Sequence, residues 1–75
     1  MEDNTVMIEA VVKHEDAKEV FRAFCQDPDA LSPQIAFRNE DPEHDYIVCG
    51  FRNNNFRQKV VGSIERRFPG LVDWR

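Results

Sequence analysis

Residues 46–75 read YIVCGFRNNNFRQKVVGSIERRFPGLVDWR, and within this stretch the hydrophobic period changes twice. In YIVCGFR, Ile47, Cys49 and Phe51 fall on one side of an extended chain and Tyr46, Val48 and Gly50 on the other, which is the period of a strand. Past the three asparagines the spacing becomes helical. Phe56, Val60, Val61, Ile64 and Phe68 form one apolar stripe. Asn55 is the expected N-cap, with Gln58 three residues on. Pro69-Gly70 ends the helix, and LVDWR is long enough for a short final strand.

The same two periods recur upstream. TVMIEAVVK, residues 5–13, alternates as a strand, with Val6, Ile8, Ala10 and Val12 on one face. Thr5, Met7, Glu9, Val11 and Lys13 take the other. Ala17, Val20, Phe21 and Phe24 then recur at helical spacing, with Asp16 as the expected cap and Glu19 three residues on. QDPDALSP stops that helix. PQIAFRNE reads as a strand with Ile35 and Phe37 facing inward and Ala36 and Arg38 outward. DPEHD is the expected hairpin turn before the strand at Tyr46. The order is strand, helix, strand, strand, helix, strand. Residues 1–75 are therefore expected to form one α+β domain, a small ferredoxin-like βαββαβ sandwich. Its antiparallel sheet would carry both helices on one face. If the last five residues do not pair, a βαββα variant results.

Composition fits a small folded domain. Of 75 residues, 41% are hydrophobic and 32% charged, a globular rather than a disordered balance. A chain of this length buries only about 60% of the surface its unfolded form exposes, which favours association. No apolar run approaches the roughly 20 residues of a membrane span, and MEDNTVMIEA lacks the basic and apolar regions of a signal peptide. Cys25 and Cys49 lie in apolar segments without a C-x-x-C spacing and read as reduced core residues of a cytoplasmic protein. Net charge is −4, unevenly placed: residues 1–51 carry 12 acids against 4 bases, and residues 52–75 carry 6 bases against 2 acids. The second helix is thus a cationic element on an acidic body, suited to acidic protein surface.

Four of the six phenylalanines precede arginine, at residues 21, 37, 51 and 56. Because Phe21, Phe37, Phe51 and Phe56 fall on the inward stripes, the rhythm reads as inside followed by outside. An acylphosphatase-like plait needs a glycine-rich, arginine-bearing loop after its first strand. Here that loop is KHEDAK, which repels anions. An RNA-binding plait displays aromatics from its central strands, and here only Tyr46 faces outward. NEDPEHD, with His44 among acids, reads as a solvated turn rather than a metal site, and His14 beside Glu15 and Asp16 reads as a surface residue. No nucleophile with a base partner, glycine-rich loop or metal-ligand spacing appears, so no catalysis, cofactor or metal is expected.

The remaining signal is the outer sheet face. Met7, Val11, Tyr46 and Val48 point away from the helices, rimmed by Glu9, Lys13 and Arg38, where a solvated sheet would be polar. Trp74 is a candidate aromatic anchor beside them, and Lys59 and Arg66 share one face of the basic helix. Gly62 interrupts that helix opposite its apolar stripe, where glycine costs roughly 1 kcal/mol relative to alanine. The expected function is a small non-catalytic interaction module that forms a homodimer or docks on a larger protein assembly. The alternative is a nucleic-acid-binding module using the second helix, which so few basic contacts and an acidic body disfavour.

With DPDALSP at 27–33, and with Phe56-Arg57 opening the helix QKVVGSI, the chain resembles the small dimerising subunit of the KEOPS tRNA-modification complex. That family has a strand, a helix, two strands and a long helix, a PD element after the first helix and a Leu-Arg pair opening the second. Here asparagines replace the acid before that pair, Gly62-Ser63 stands where Asn-Ser is usual, and FPGLVDWR departs from the family's ending. The resemblance implies a non-catalytic dimerising and scaffolding role, that of an accessory subunit.

Overall fold

The structure is a computed structural model that describes residues 5–75, so the first four residues of the stretch tested for a signal peptide lie outside it. Its elements are β1 (Val6–Lys13), α1 (His14–Gln26), β2 (Leu31–Arg38), β3 (Asp41–Phe51), α2 (Asn54–Arg67) and β4 (Val72–Trp74). The four strands form one open antiparallel sheet in the order β2-β3-β1-β4. The final residues do pair, against the second half of β1, so the three-stranded variant is excluded. Ala17, Val20, Ala23 and Phe24 of α1 and Val60 and Ile64 of α2 enter one core with Ile8, Ala10, Val12, Ile47, Cys49 and Phe51. Both helices therefore cover the same sheet face. Alternation along β1 and β3 selects that face: Ile8, Ala10 and Val12 are every second residue of β1, and the register sets them against Ile47, Cys49 and Phe51, every second residue of β3.

Several boundaries differ from expectation. α1 begins at His14, directly after β1; its N-cap is Lys13, with no side-chain cap. Asp16 is thus inside the first turn with Glu15, where negative charge still favours the helix dipole. α2 is capped by Asn53, two residues before the expected Asn55, and its side chain accepts the Phe56 N–H at 3.1 Å. The hairpin turns at Asn39-Glu40, so most of DPEHD is strand: Arg38 pairs with Asp41, then Phe37 with Asp45. Pro42, Glu43 and His44 are additional residues in β3, and His44 continues the ladder opposite Lys13 of β1.

The breaks between elements follow from local chemistry. After α1, Asp27 accepts the Ala30 N–H through its carbonyl and the Asp29 N–H through its side chain, with Pro28 between. Asp followed by Pro is the preferred opening of such a turn. After α2, Phe68-Pro69-Gly70-Leu71 closes with Leu71 N–H on the Phe68 carbonyl at 3.2 Å. Gly70 has φ of 76°, the left-handed value required at the third residue of a type II turn. Pro33 is tolerated because β2 is an edge strand, next to a register shift between Leu31 and Gln34.

Two inward assignments are corrected. Phe37 lies opposite Asp45 at the end of the sheet and is 69% exposed, its ring tilted against His14 at 6.3 Å. The side chain it meets is that of the first, exposed residue of α1, so correct parity does not bury it. Cys25 is exposed on α1, whereas Cys49 is buried; both are free thiols. Burial pushes the Cys49 thiol up to about 11, which keeps it protonated and unreactive near neutral pH.

Candidate functional site

The face opposite the helices is assembled by cross-strand register. Val11 stands beside Tyr46, Glu9 beside Val48, and Met7 beside Gly50. β2 continues these rows with Ala36, Gln34 and Leu31, and β4 places Asp73 beside Val11. The face divides into a polar half and an apolar half.

In the polar half, the Arg38 guanidinium lies 4.2 Å from the Tyr46 ring centroid and pairs with the Glu9 carboxylate. The Tyr46 hydroxyl donates to Asp41 Oδ2 at 2.6 Å, and His44 Nδ1 stands 2.9 Å from Asp41 Oδ1. Arg75 pairs with Asp73 at 2.9 Å. Within this layer Val11 is only 4% exposed and Tyr46 only 6%. Both were expected to contact a partner, yet both are already buried within the chain itself, Tyr46 beneath the Arg38 guanidinium, as amphipathic stems often lie over apolar surface.

The apolar half is open. Met7 is 60% exposed, and Val48 and Leu31 are half-buried around it. A Cβ at Gly50 would come within 3.1 Å of Thr5 Cγ2 and 3.2 Å of Met7 Sδ. Glycine at that position lets the Met7 side chain lie down on the sheet.

The Tyr46 hydroxyl bond, followed by the contact with His44, lowers the Asp41 carboxyl below its ordinary 3.8. The same bond to the Asp41 carboxylate raises Tyr46 above its ordinary 10.0. A depressed carboxyl contributes stability that is complete above its unfolded value and is lost as pH falls through its folded value. A raised phenol contributes stability that is complete below its unfolded value and is lost as pH rises through its folded value. The pair therefore stabilises most fully between pH 3.8 and pH 10.0. Tyr46→Phe keeps the ring under Arg38 but removes the hydroxyl. Urea melts across pH 2–6 (roughly the carboxylate range) should show a shallower acid loss in Tyr46→Phe than in the wild type. Parallel acid limbs would exclude the hydroxyl as the cause.

The other site residues lie elsewhere. Trp74 is not on the open face. It stands opposite Ala10 on the helix side, packs edge-on against Phe24 at 6.1 Å, and donates its indole N–H to Glu65 Oε2 at 2.7 Å. A three-residue strand of the sequence Val-Asp-Trp places Trp74 and Val72 inward together, leaving Asp73 outward. Lys59 is exposed on α2, with its ammonium 3.6 Å from Asp29 Oδ2. Arg66 is exposed one turn past Gly62, and a Cβ at Gly62 would meet only the Arg66 guanidinium at 3.5 Å. The basic helix and the open sheet face are thus separate surfaces.

Sequence reading missed one pairing. Asp45 is buried on the helix-side face, and His14 Nδ1 stands 3.0 Å from both of its oxygens. A carboxylate only accepts, so the ring proton sits on Nδ1. The two residues are 31 apart in sequence, and only the β1–β3 register, with Val12 opposite Asp45, brings them together. The His14–Asp45 and His44–Asp41 pairs do not converge. Among the described residues no group of three histidines, cysteines or acids could hold a metal ion, and no helix is long and apolar enough to cross a membrane.

Compared with known proteins, the chain matches no family model, no curated protein and no solved structure.

Proposed function

We propose that this chain is a small, non-catalytic, cytoplasmic interaction module on a ferredoxin-like plan, an accessory subunit that self-associates or docks on a larger protein through its open sheet face. One observation carries this reading: Met7, 60% exposed, sits with half-buried Leu31 and Val48 on a sheet face that no helix covers. A methionine is a flexible, polarizable contact that adapts to an opposing surface. The Glu9–Arg38 pair beside it supplies a charged rim that orients a partner. The likeness of residues 27–33 and 56–64 to the KEOPS dimerising subunit supports the same role.

Self-association is the form tested first. Sedimentation equilibrium should give twice the chain mass, and Met7→Glu combined with Val48→Lys should give the chain mass with an unchanged far-ultraviolet circular dichroism spectrum. Tyr46 is left intact because it is buried, so a charge there would disturb the fold. A double variant that keeps both its mass and its protein partners would refute the assignment of this face.

The second reading, nucleic-acid binding, rests on Arg52, Arg57, Lys59, Arg66 and Arg67 on or beside α2. Lys59 already pairs with Asp29, and the Arg67 guanidinium lies over the Phe68 ring at 5.4 Å. Few cations remain to meet phosphates together, and each contact loses strength steeply with salt, with a slope of about −0.9 on duplex DNA. Fluorescence anisotropy with labelled RNA and DNA at physiological salt should show no appreciable binding. Micromolar binding abolished by Lys59→Glu with Arg66→Glu would replace the first reading with the second.

A further inference from the structure

Phe37, at 69%, is the most exposed large hydrophobic side chain among the described residues. It borders a cavity of about 280 Å³ at the end of the sheet, whose lining includes His14, Arg38, Asp41, His44 and Asp45. The two histidine–aspartate pairs do not converge on one point, yet both line this cavity, and they fill it with hydrogen-bond acceptors. Asp41 takes His44 Nδ1 at 2.9 Å and Asp45 takes His14 Nδ1 at 3.0 Å. Each neutral ring therefore carries its proton on Nδ1 and leaves Nε2 to accept. Asp41 also takes the Tyr46 hydroxyl on its other oxygen, and these bonds hold its carboxyl below the ordinary 3.8. Each Asp41 oxygen thus keeps a second lone pair. Arg38, the cationic donor of the lining, is committed to Glu9 and to the Tyr46 ring.

The setting is acidic. Residues 38–45 and the first turn of α1 together carry six acids and one arginine, the paired Arg38. Glu40 and Glu43 are exposed and form no ion pair among the described residues. An exposed aromatic ring, a lining of acceptors and surplus negative charge together call for a cation. The backbone beside the cavity is open as well. Glu9 exchanges both its hydrogen bonds with Arg75 on the β4 side, so β1 bonds β3 through its even-numbered residues. By the same alternation β3 bonds β2 through Tyr46 and Val48, opposite Ala36 and Gln34. Ile35 and Phe37 then direct their N–H and C=O away from the sheet, and β2 is an edge strand among the described residues.

We propose that this corner of the sheet binds an arginine side chain of a partner protein, presented from an extended segment that pairs with the free edge at Phe37. A segment that exchanges both backbone bonds with Phe37 places its facing residue about 5.5 Å away on the same side of the sheet. From there the guanidinium lies over the Phe37 ring and its fork donates to the Asp41 carboxylate. Main-chain bonds hold the segment and the cavity reads the side chain, the usual division of labour in strand addition. Arginine suits the place better than lysine, because its flat, weakly hydrated head stacks on a ring while keeping its donors in plane. The site is separate from the Met7–Val48 face and does not depend on it. Lys13 opposite His44 marks this end of β1, and six residues, about 20 Å of strand, separate it from Met7.

The test uses the full chain and follows the Phe37 amide and ring and the His14 ring by NMR. The end-blocked tripeptide Thr-Arg-Thr should shift all three saturably. The same peptide with citrulline, which keeps the shape of arginine without its charge, should not bind, and Thr-Lys-Thr should bind more weakly. Ethylguanidinium, which has the head group without a backbone, should also bind more weakly than Thr-Arg-Thr. Phe37→Leu, a change at an exposed side chain, should melt as the wild type does and bind Thr-Arg-Thr about two- to five-fold more weakly, the share of a ring-stacked cation at an exposed site. Equal binding of the citrulline or lysine peptide, or unchanged affinity in Phe37→Leu, would each overturn the proposal. Ethylguanidinium binding as tightly as the peptide would assign the corner to a free organic cation and overturn it. Phe37 shifts that grow with protein concentration in the absence of peptide would assign it to a second copy and overturn it as well.

Discussion

Phe24→Ala is expected to lose about 3–5 kcal/mol of stability, the range for deleting a buried aromatic ring. A domain of this length is stabilised by only roughly 4–11 kcal/mol in total, at about 0.05–0.15 kcal/mol per residue. The variant should therefore be largely unfolded or on the edge of unfolding at 25 °C. Phe24 is fully buried where α1 meets β4, and its ring carries the edge-on contact to Trp74. Removing it opens a cavity and also withdraws support from a strand of only three residues. Trp74 is the single tryptophan, so its fluorescence reports the loss directly in a urea titration. Phe24→Leu, which refills most of the space, should recover more than half of the deficit. If Phe24→Ala melts within about 1 kcal/mol of the wild type, an ordinary surface-like effect, the packing at this junction has been misread.

His14→Ala is expected to be the next most damaging change among those considered, at about 1–3 kcal/mol, the cost of leaving a buried polar group without its partner. Asp45 is 3% exposed, and among the described residues its side-chain oxygens have no protein partner other than His14. The figure lies below that for breaking a fully buried ion pair because the His14 ring itself is well exposed, and solvent screens much of the attraction. Adding Asp45→Val to His14→Ala should restore stability, since replacing both members of a buried polar pair by apolar groups is often neutral or better. Chemical denaturation of the four proteins of this cycle gives the coupling. Additive single effects would mean that the two side chains do not depend on each other.

The sequence shows the order of elements because hydrophobic periodicity is a local property, and the first five elements have it; for β4 it offers only enough residues for a short strand. It also shows which faces of β1 and β3 are inward, since Ile8, Ala10, Val12, Ile47, Cys49 and Phe51 need only alternation. Boundaries were harder to read where no cap residue marks them. β1 runs into α1 at Lys13 with no side-chain cap, so the strongest cap signal nearby, Asp16, points three residues too late. Three consecutive asparagines offer equivalent caps, and only the fold selects Asn53.

The candidate site was legible in part. Parity put Met7, Val11, Tyr46 and Val48 on one face, but parity does not say which of them a neighbouring side chain covers. Arg38 and Glu9 come from strands 29 residues apart and meet across Tyr46. The reach of two long side chains, rather than the hydrophobic pattern, removes Tyr46 from the accessible surface. Phe37 shows the converse: its parity is inward, yet it stands at the end of the sheet beside the exposed His14 ring and stays open to solvent. His14 and Asp45 carry no local signal at all, because their relation exists only in the register between strands.

The short β4 also bears on how the chain folds. The β2–β3 hairpin closes through two residues and can form within microseconds. Joining β4 to β1 brings together Ala10 and Trp74, near opposite ends of the sequence, with only three strand residues to offset the entropy of so large a loop. That closure becomes favourable once α2 is docked and Phe24 is in place to receive the indole. The edge strand is therefore the last part of the sheet to assemble and the first to open.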